Sequence, residues 1–425
     1  MEENKKTLEK PVKSKKWIIG IVGAVLLGVA TLFMVLPRPY YIEGFKTLRE
    51  LQEYAKTIDE FIKMDWDNIA NPNYELYYQK NFGPSMWRTT KEKIAGLFYY
   101  CGLRSRPLFS PSFFKTILLD VTKDREQQGW IGDFVQKLEV KPNSRVVVFG
   151  AIQGSFHPFV RYLEKLKELN IIDENLVIKN PNDYIVFLGN VANRSAYTLE
   201  ILSIVLRLLK QNPNNVVYLK GTNEFFDYWR QHTLYRELEL RAQPLFKQKD
   251  VMINDMRSFF NTLPLTLYCT MPFVQDSSNK LNYFKLKPFI RDEHAERTKE
   301  QFYASFLKRA MEKKIDFFDI SKADLLQKEA ESIVMRSVIQ DIRKRVSYEK
   351  MDGLRLLEPE GSATAWTVLS TSAEPYRLAF DFFYDAFVIV YSALKLEDWK
   401  ITLYKRDIRE KNKNFETRSE YFFHS

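Results

Sequence analysis

The chain has 425 residues, enough for one large domain with extensions or for two domains. Its composition, 45% hydrophobic and 15% aromatic, excludes a disordered chain. The formal net charge of +10 permits anionic partners, but the sequence carries no DNA- or RNA-binding motif, and we predict no nucleic-acid partner. The two cysteines, Cys101 and Cys269, are compatible with buried thiols or with one disulfide, so they leave the redox compartment open.

The first predicted element is an uncharged apolar run from Trp17 to Leu36. Twenty residues at about 1.5 Å rise each span the roughly 30 Å hydrocarbon core of a bilayer. The tail 1–16 carries six lysines against three glutamates, a bias that predicts a cytoplasmic N-terminus and a main domain on the non-cytoplasmic side. A cleaved signal peptide is the alternative, although the run is long for one and no clean cleavage site follows it. The sequence therefore predicts a single-pass membrane protein with a transmembrane helix at 17–36.

We assign residues 37–143 to a membrane-proximal extension of helical and irregular structure. Apolar residues such as Leu48 and Leu51 recur at helical spacing from about 44 to 66. An aromatic stretch punctuated by prolines follows, and we interpret it as irregular. The apolar residues between Trp130 and Leu138 then indicate another helix.

From residue 144 the pattern changes to apolar strands that alternate with amphipathic helices. RVVVFG, DYIVFLG and NVVYLKG are strands ending in glycine, separated by the helical segments HPFVRYLEKLKEL and TLEILSIVLRLLK. This alternation is typical of an α/β fold, in which loops at the strand C-termini form the sites. LPLTLYCT predicts a further strand, and WTVLS, AFVIVYSA and KITLYK predict three antiparallel ones. We assign one domain to 144–408, with a Lys- and Glu-rich helical insertion at about 290–347, and a polar tail to 409–425.

Three strand-to-helix junctions carry motifs: GAIQGS at 150–155, DYIVFLGNVANRS at 183–195 and LKGTNE at 219–224. NTLPL at 261–265 and TVLS at 367–370, followed by EPY, come later. In order and spacing they resemble the serine/threonine phosphoprotein-phosphatase branch of the calcineurin-like metallophosphoesterases, which reads G-D-x-H-G, G-D-x-x-D-R-G, R-G-N-H-E, N-x-L-P and S-A-P-x-Y. The resemblance covers about 144–270 and 363–405 and implies an α/β sandwich of mixed β-sheets flanked by helices. An unrelated α/β domain with glycines at its strand ends is the alternative.

The positions that this family uses for chemistry carry different residues here. The family's metal ligands correspond to Ala151, Gln153, Asn190 and Thr222, and its acid histidine and the aspartate that orients it to Asn223 and Asn193. Alanine offers no ligand, and a neutral amide neither bridges two cations as a carboxylate does nor transfers a proton near neutral pH. The resemblance therefore predicts no intact catalytic residue and no metal cofactor. Two ions such as Mn, Fe or Zn are expected only if other ligands replace the lost ones.

Several positions keep the residue types of the family. Gly150, Gly154, Gly189 and Gly221 allow tight turns, and with Glu224 we assign them structural roles. Arg194 stands where the family places a phosphate-contacting arginine, and Lys220 replaces the arginine before the third glycine. Two interpretations stay open: these cations form structural ion pairs, with Glu224 as a partner, or they bind phosphate or another anion.

Three functional hypotheses follow. The first is a membrane-anchored pseudophosphatase that binds or scaffolds a protein partner, with a phosphorylated or acidic partner as one form. The second is an active metal-dependent phosphoesterase with noncanonical ligands such as Asp183, Glu224 or Asp227. The third is a structural envelope protein in which the fold supplies only bulk.

Overall fold

A computed structural model of the chain describes part of its length. The described residues are Gly20, Gly23, Gly28, 45–56, 58, 111–132, 135–193, 195–225, 228–231, 233–242, 249–275, 281–286, 333–336, 354–357, 364–368, 384–395, 398–408, 410 and 414–421. The chain divides into two units, 1–42 with 84–106 and 43–83 with 107–425, and every helix and strand named below lies in the second. That unit is a mixed α/β structure with helices packed on β-sheet.

The elements have the following bounds. The helices are α1 (Leu48–Ala55), α2 (Pro111–Gln127), α3 (Phe156–Glu168), α4 (Thr198–Gln211), α5 (Thr222–Phe225), α6 (Thr233–Ala242) and α7 (Lys249–Asn261), with a 3₁₀ turn at Tyr228–Gln231. The strands are β1 (Val135–Glu139), β2 (Arg145–Phe149), β3 (Asp183–Phe187), β4 (Val216–Tyr218), β5 (Thr266–Gln275), β6 (Leu281–Leu286), β7 (Ile333–Arg336), β8 (Leu354–Leu357), β9 (Thr364–Val368), β10 (Tyr384–Tyr391), β11 (Lys400–Asp407) and β12 (Glu416–Tyr421).

One six-stranded sheet, in the order β12-β11-β10-β2-β3-β4, positions the motif loops. Strands β2, β3 and β4 are parallel neighbours, so their C-terminal ends lie at the same edge of the sheet. Strands β10, β11 and β12 continue the sheet in antiparallel pairs. Val146, Val147 and Val148 of β2 are all fully buried, because both faces of this central strand are covered. The predicted strands and helices between 144 and 221 are confirmed.

A second six-stranded sheet has the order β1-β5-β6-β7-β9-β8. Its first strand corrects the sequence analysis, because the predicted helix between Trp130 and Leu138 is wrong. The segment instead forms β1, which pairs in parallel with β5 from Val135 opposite Thr266. A partner so distant in the sequence leaves no trace in local periodicity. Strand β9 also belongs to this sheet, so only β10 and β11 of the three predicted antiparallel strands pair with one another.

The side chains on the two faces of the first sheet pack into two separate hydrophobic clusters. Val147, Phe149, Ile185 and Phe187 pack into a cluster shared with α1 to α4, α6 and α7. Val146, Val148 and Val186 face the opposite way and pack with Leu267 and Cys269 of β5. Because successive side chains of a strand point to opposite faces, this alternation places helices on one side of the sheet and the second sheet on the other.

Helix α1, which follows the apolar N-terminal run, packs against α3. Leu48 and Leu51 are buried, and the side chains of Thr47 and Glu50 form a capping box at the start of the helix. The Tyr54 hydroxyl donates a hydrogen bond of 2.7 Å to the buried Glu200 carboxylate of α4. The predicted helical period is therefore confirmed for Leu48–Ala55.

Several predictions fall on residues outside the described ranges. They include the transmembrane helix at 17–36 apart from three glycines, Cys101, most of the 290–347 insertion and the segment at 369–376. The described part of the insertion, Ile333–Arg336, forms strand β7 and not the predicted helix, because it pairs with β6 and β9. In the part of the chain that the structure describes, no helix combines the length and apolar character that crossing a bilayer requires.

Candidate functional site

The loops that follow β2, β3 and β4 meet at one edge of the sheet. The N–H of Gln153 donates to the Asn190 carbonyl at 3.0 Å, and the N–H of Gly154 donates to the Val191 carbonyl at 2.8 Å. The third loop joins them because the N–H of Asn223 donates to Asn190 Oδ1 at 3.0 Å. The structure therefore brings the three motif segments together.

The second and third loops are in contact through their backbones. A Cβ atom at Gly189 would lie 2.5 Å from the backbone nitrogen of Gly221, and a Cβ atom at Gly221 would overlap the nitrogen of Asn190. Gly189 also has a φ of +84°, a conformation that a side chain disfavours. Only glycine permits so close an approach at both positions.

Three residues of these loops adopt left-handed backbone conformations without being glycine: Gln153 (φ +53°), Asn190 (φ +52°) and Asn193 (φ +72°). Asparagine tolerates this region, whereas for glutamine it costs about 1 kcal/mol. The conformational cost in these loops therefore falls mainly on Gln153.

The donor set at this edge does not fit a pair of divalent cations. Ala151 has no ligand atom, and Gln153 and Asn190 offer only neutral amides. The oxygen of the Asn190 side chain already accepts the Asn223 N–H. Among the residues that the structure describes, no three His, Cys, Asp or Glu side chains are grouped so that they could hold a metal ion. Thr222 is the first residue of α5.

Asn223 and Asn193, which the resemblance aligns with an acid histidine and the aspartate that orients it, bind backbone groups. Asn223 Nδ2 donates to the Ala192 carbonyl at 2.9 Å, and Asn193 Oδ1 accepts the N–H of Leu234 at 3.1 Å. Both asparagines are buried. Because a carboxamide does not titrate near neutral pH, this arrangement can position loops but cannot transfer a proton to a leaving group.

Glu224 links the second and third loops through four hydrogen bonds. Its carboxylate accepts the N–H groups of Asn190 (2.9 Å), Val191 (3.0 Å) and Ala192 (3.2 Å), and the Tyr218 hydroxyl (2.8 Å). Burial raises the pKa of Glu224, and these hydrogen bonds offset part of that effect. Among the described residues, Glu224 therefore binds backbone amides and the Tyr218 hydroxyl. A pairing with Arg194, which lies outside the described residues, stays a prediction.

Of the two predicted anion-binding residues, Lys220 and Arg194, only Lys220 lies among the described residues. Lys220 is buried. Its backbone N–H donates to the Pro264 carbonyl at 2.8 Å, and this hydrogen bond connects the third loop to the segment after α7. Arg194 lies outside the described residues. Anion binding by this pair stays a prediction.

Comparison with known proteins finds similarity only at the level of solved structures. No family model matches the chain, and no curated protein matches it. It is similar to a protein serine/threonine phosphatase from Saccharomyces cerevisiae, with 14% identity and a TM-score of 0.42 over 72% of this chain and 89% of that one. It is also similar to a cold-active protein-tyrosine phosphatase from a psychrophilic Shewanella species, with 10% identity and a TM-score of 0.38 over 64% and 83% of the two chains. These neighbours are protein phosphatases, and at such values neither supplies an argument about the activity of this chain.

Two carboxylates away from the motif loops, those of Asp183 and Glu200, are buried and hydrogen-bonded. Arg145 contacts both oxygens of Asp183, at 2.8 and 2.5 Å, and this pairing raises the pKa of the Arg145 guanidinium. Glu200 accepts the Tyr54 hydroxyl. Asp183 begins β3, at the end of the strand opposite the motif loops. It therefore lies about 13 Å along the strand from the loop, given a rise of about 3.3 Å per residue.

Sequence reasoning missed Glu237, which is fully buried on α6. Its carboxylate accepts the N–H groups of Thr198 and Leu199, both at 3.0 Å, and so satisfies the first turn of α4. This helix begins directly after the second loop, so Glu237 helps to position that loop. A single glutamate within a charged helical sequence carries no signal that distinguishes it from its exposed neighbours.

Proposed function

We propose that this chain is a membrane-anchored pseudophosphatase, a metallophosphoesterase-like domain that binds or scaffolds a partner without hydrolysing phosphoesters. The observation that carries the proposal is a preserved loop framework without reactive side chains. The three loops are held together by glycines and backbone hydrogen bonds, whereas the positions of the family's ligands and acid carry alanine, threonine and amides. Such a framework can present a surface but supplies neither metal ligands nor a proton donor.

The geometry disfavours the alternative of an active enzyme with noncanonical ligands. Asp183 lies at the far end of β3 and is paired with Arg145. Both oxygens of Glu224 are already occupied by hydrogen-bond donors, so a metal ion would have to displace the contacts that hold the loops together. Asp227 lies outside the described residues.

We further propose that the domain retains weak affinity for an acidic or phosphorylated partner through Arg194 and Lys220. One charged hydrogen bond contributes about 1.5–3 kcal/mol, which alone corresponds to millimolar binding or weaker. Additional contacts from the partner's surface, or the high local concentration at a membrane, would raise the effective affinity. Tethering by residues 17–36 on the non-cytoplasmic side supplies that concentration.

Metal content and hydrolysis test the central proposal. The full-length protein, purified in detergent, is expected to hold no stoichiometric Mn, Fe or Zn and to hydrolyse neither aryl phosphates nor phosphopeptides. Asn190→Ala and Asn223→Ala variants are the matched controls, since any turnover that they retain comes from a contaminant. Two metal ions per chain, or turnover that these variants abolish, would overturn the proposal.

Reporter fusions test the membrane anchor separately. A C-terminal reporter that works only outside the cytosol is expected to be active, and one that works only in the cytosol is expected to be inactive. Activity confined to the cytosol would refute the orientation, and recovery of the full-length chain without detergent in the soluble fraction would refute the anchor.

A further inference from the structure

Some buried polar atoms on the second loop, on the 3₁₀ turn and at the first residue of α6 have no hydrogen-bond partner. In the described part of the chain these atoms include Asn193 Nδ2, Ser195 Oγ, Trp229 Nε1 and Thr233 Oγ1. The side chains of Asn193, Ser195 and Trp229 are each at most 1% exposed. Buried polar atoms are almost always paired, so four unpaired ones on neighbouring segments indicate a place that a ligand completes.

The position of Asn193 is set by one hydrogen bond. Its Oδ1 accepts the N–H of Leu234 at 3.1 Å, so the side chain lies at the start of α6, next to Thr233. Because the atom facing an N–H donor must be the oxygen, the unpaired atom of the amide is its NH₂ group. The first loop borders the same place, since a Cβ atom at Gly154 would lie 3.1 Å from the Cβ of Ser195.

The chemistry of the unpaired atoms points to a ligand that accepts hydrogen bonds. The indole N–H of Trp229 and the amide of Asn193 can only donate through these atoms, and the hydroxyls of Ser195 and Thr233 can also donate. The N-terminus of α6, a helix of ten residues, adds partial positive charge. A water molecule accepts at most two hydrogen bonds and cannot pair all four donors, whereas an oxyanion has several oxygens that accept.

We propose that Asn193, Ser195, Trp229 and Thr233 form a binding site for a small oxyanion, held by neutral donors at the start of α6. The inference rests on the proposed function in treating this edge of the sheet as a binding site. The proposed oxyanion site uses none of the residues of the predicted anion contact, Arg194 and Lys220. Asn193 adopts a left-handed backbone conformation (φ +72°), and the hydrogen bond from the N–H of Leu234 to its Oδ1 orients the amide.

Two carboxylates oppose an anion here and keep its affinity low. Glu237 lies one turn further along α6, and Glu224 lies under the preceding part of the loop. Backbone N–H groups bind both carboxylates, which reduces but does not cancel their charge. A dissociation constant in the millimolar range is therefore expected.

Thermal unfolding of the full-length protein in detergent, with inorganic phosphate, sulfate or acetate, tests the site against chloride at equal ionic strength. Thr233→Val and Trp229→Phe each remove one donor while keeping its shape. Because these donors have no protein partner, both variants are expected to unfold at a higher temperature than wild type without an oxyanion. Each should bind phosphate about 3- to 10-fold more weakly, the effect of losing one hydrogen bond. Thr122→Val is the matched control: its buried hydroxyl donates to Leu118 at 2.7 Å, so this variant should lose stability and keep the phosphate response.

Three outcomes would overturn the inference. Phosphate could raise the unfolding temperature of the wild-type protein no more than chloride does. Thr233→Val could lose stability without an oxyanion, as Thr122→Val does, which would assign the hydroxyl to a resident water molecule. Finally, Arg194→Ala could abolish the phosphate response while Thr233→Val leaves it unchanged. That last result would support the anion contact of the proposed function and reject this site, whereas metal binding or hydrolysis would reject the pseudophosphatase without deciding the anion response.

Discussion

Replacing Glu224 with glutamine is expected to loosen the contact between the second and third loops at nearly constant side-chain shape. One carboxylate oxygen accepts Val191 N–H, Ala192 N–H and the Tyr218 hydroxyl, and the other accepts Asn190 N–H. Glutamine has only one oxygen to offer. If that oxygen faces the three donors, its NH₂ group faces the N–H of Asn190, and two donors then meet.

The magnitude follows from these four contacts. Three hydrogen bonds lose a charged acceptor, at about 0.5–1 kcal/mol each, and the partly buried N–H of Asn190 becomes unpaired, at about 1–2 kcal/mol. Burial raises the pKa of Glu224, so the charge itself is costly and its removal returns part of the loss. The expected net destabilisation of the loop contact is about 2–4 kcal/mol, which corresponds to a roughly 30- to 1,000-fold larger opening equilibrium.

Amide hydrogen exchange of the peptide that contains residues 188–195 measures this opening in the full-length protein. Glu164→Gln is the matched control, because Glu164 accepts the Gln52 side chain at 2.8 Å in a partly buried position away from the loops. The control should leave the exchange of the loop unchanged. Exchange in Glu224→Gln within about threefold of wild type would refute the role of Glu224 in holding the loops together.

Two further predictions follow from perturbed groups outside the site. A hydrogen bond from Lys167 lowers the pKa of Glu174, which also accepts the Arg49 N–H of α1. This contribution to stability is therefore present above the ordinary value of 4.5 and is lost as the pH falls through the lowered pKa. The protection of α1 amides, that is, their exchange relative to the intrinsic rate at each pH, should fall over that range in wild type and much less in Glu174→Gln. An equal pH dependence of protection in both would contradict the prediction. Burial raises the pKa of the Cys269 thiol. An alkylating reagent at pH 8 should therefore modify this thiol only after denaturation. Mass spectrometry that detects the label on Cys269 in the native protein would contradict the prediction.

The strands and helices of the motif region could be predicted because their signals are local. An apolar run such as Val146 to Val148, ended by glycine and followed by an amphipathic helix, indicates a buried parallel strand without knowledge of its neighbours. The meeting of the three loops then follows from the rule that parallel strands end at one edge. The substitutions at Ala151 and Asn190 were readable in the same way, since the side chain alone decides what a position can ligate.

Other features depended on pairing between distant segments. The strand at Val135–Glu139 exists because β5 pairs with it, and no local period contains that information. In the same way, Glu224 is a loop clamp because three consecutive N–H groups of the second loop converge on it.

By itself, the sequence determined which residue types stand at the motif positions, because the capacity to ligate a metal or to donate a proton is a property of a residue type. Only the tertiary structure decided what the remaining polar groups do, because hydrogen bonding depends on distance and direction between atoms far apart in the chain. Asn193 shows both sides of this division. That Asn193 carries a carboxamide, which does not titrate near neutral pH, is evident from the sequence alone, whereas the hydrogen bond from Leu234 to its oxygen and its unpaired NH₂ group emerge only when the second loop packs against α6.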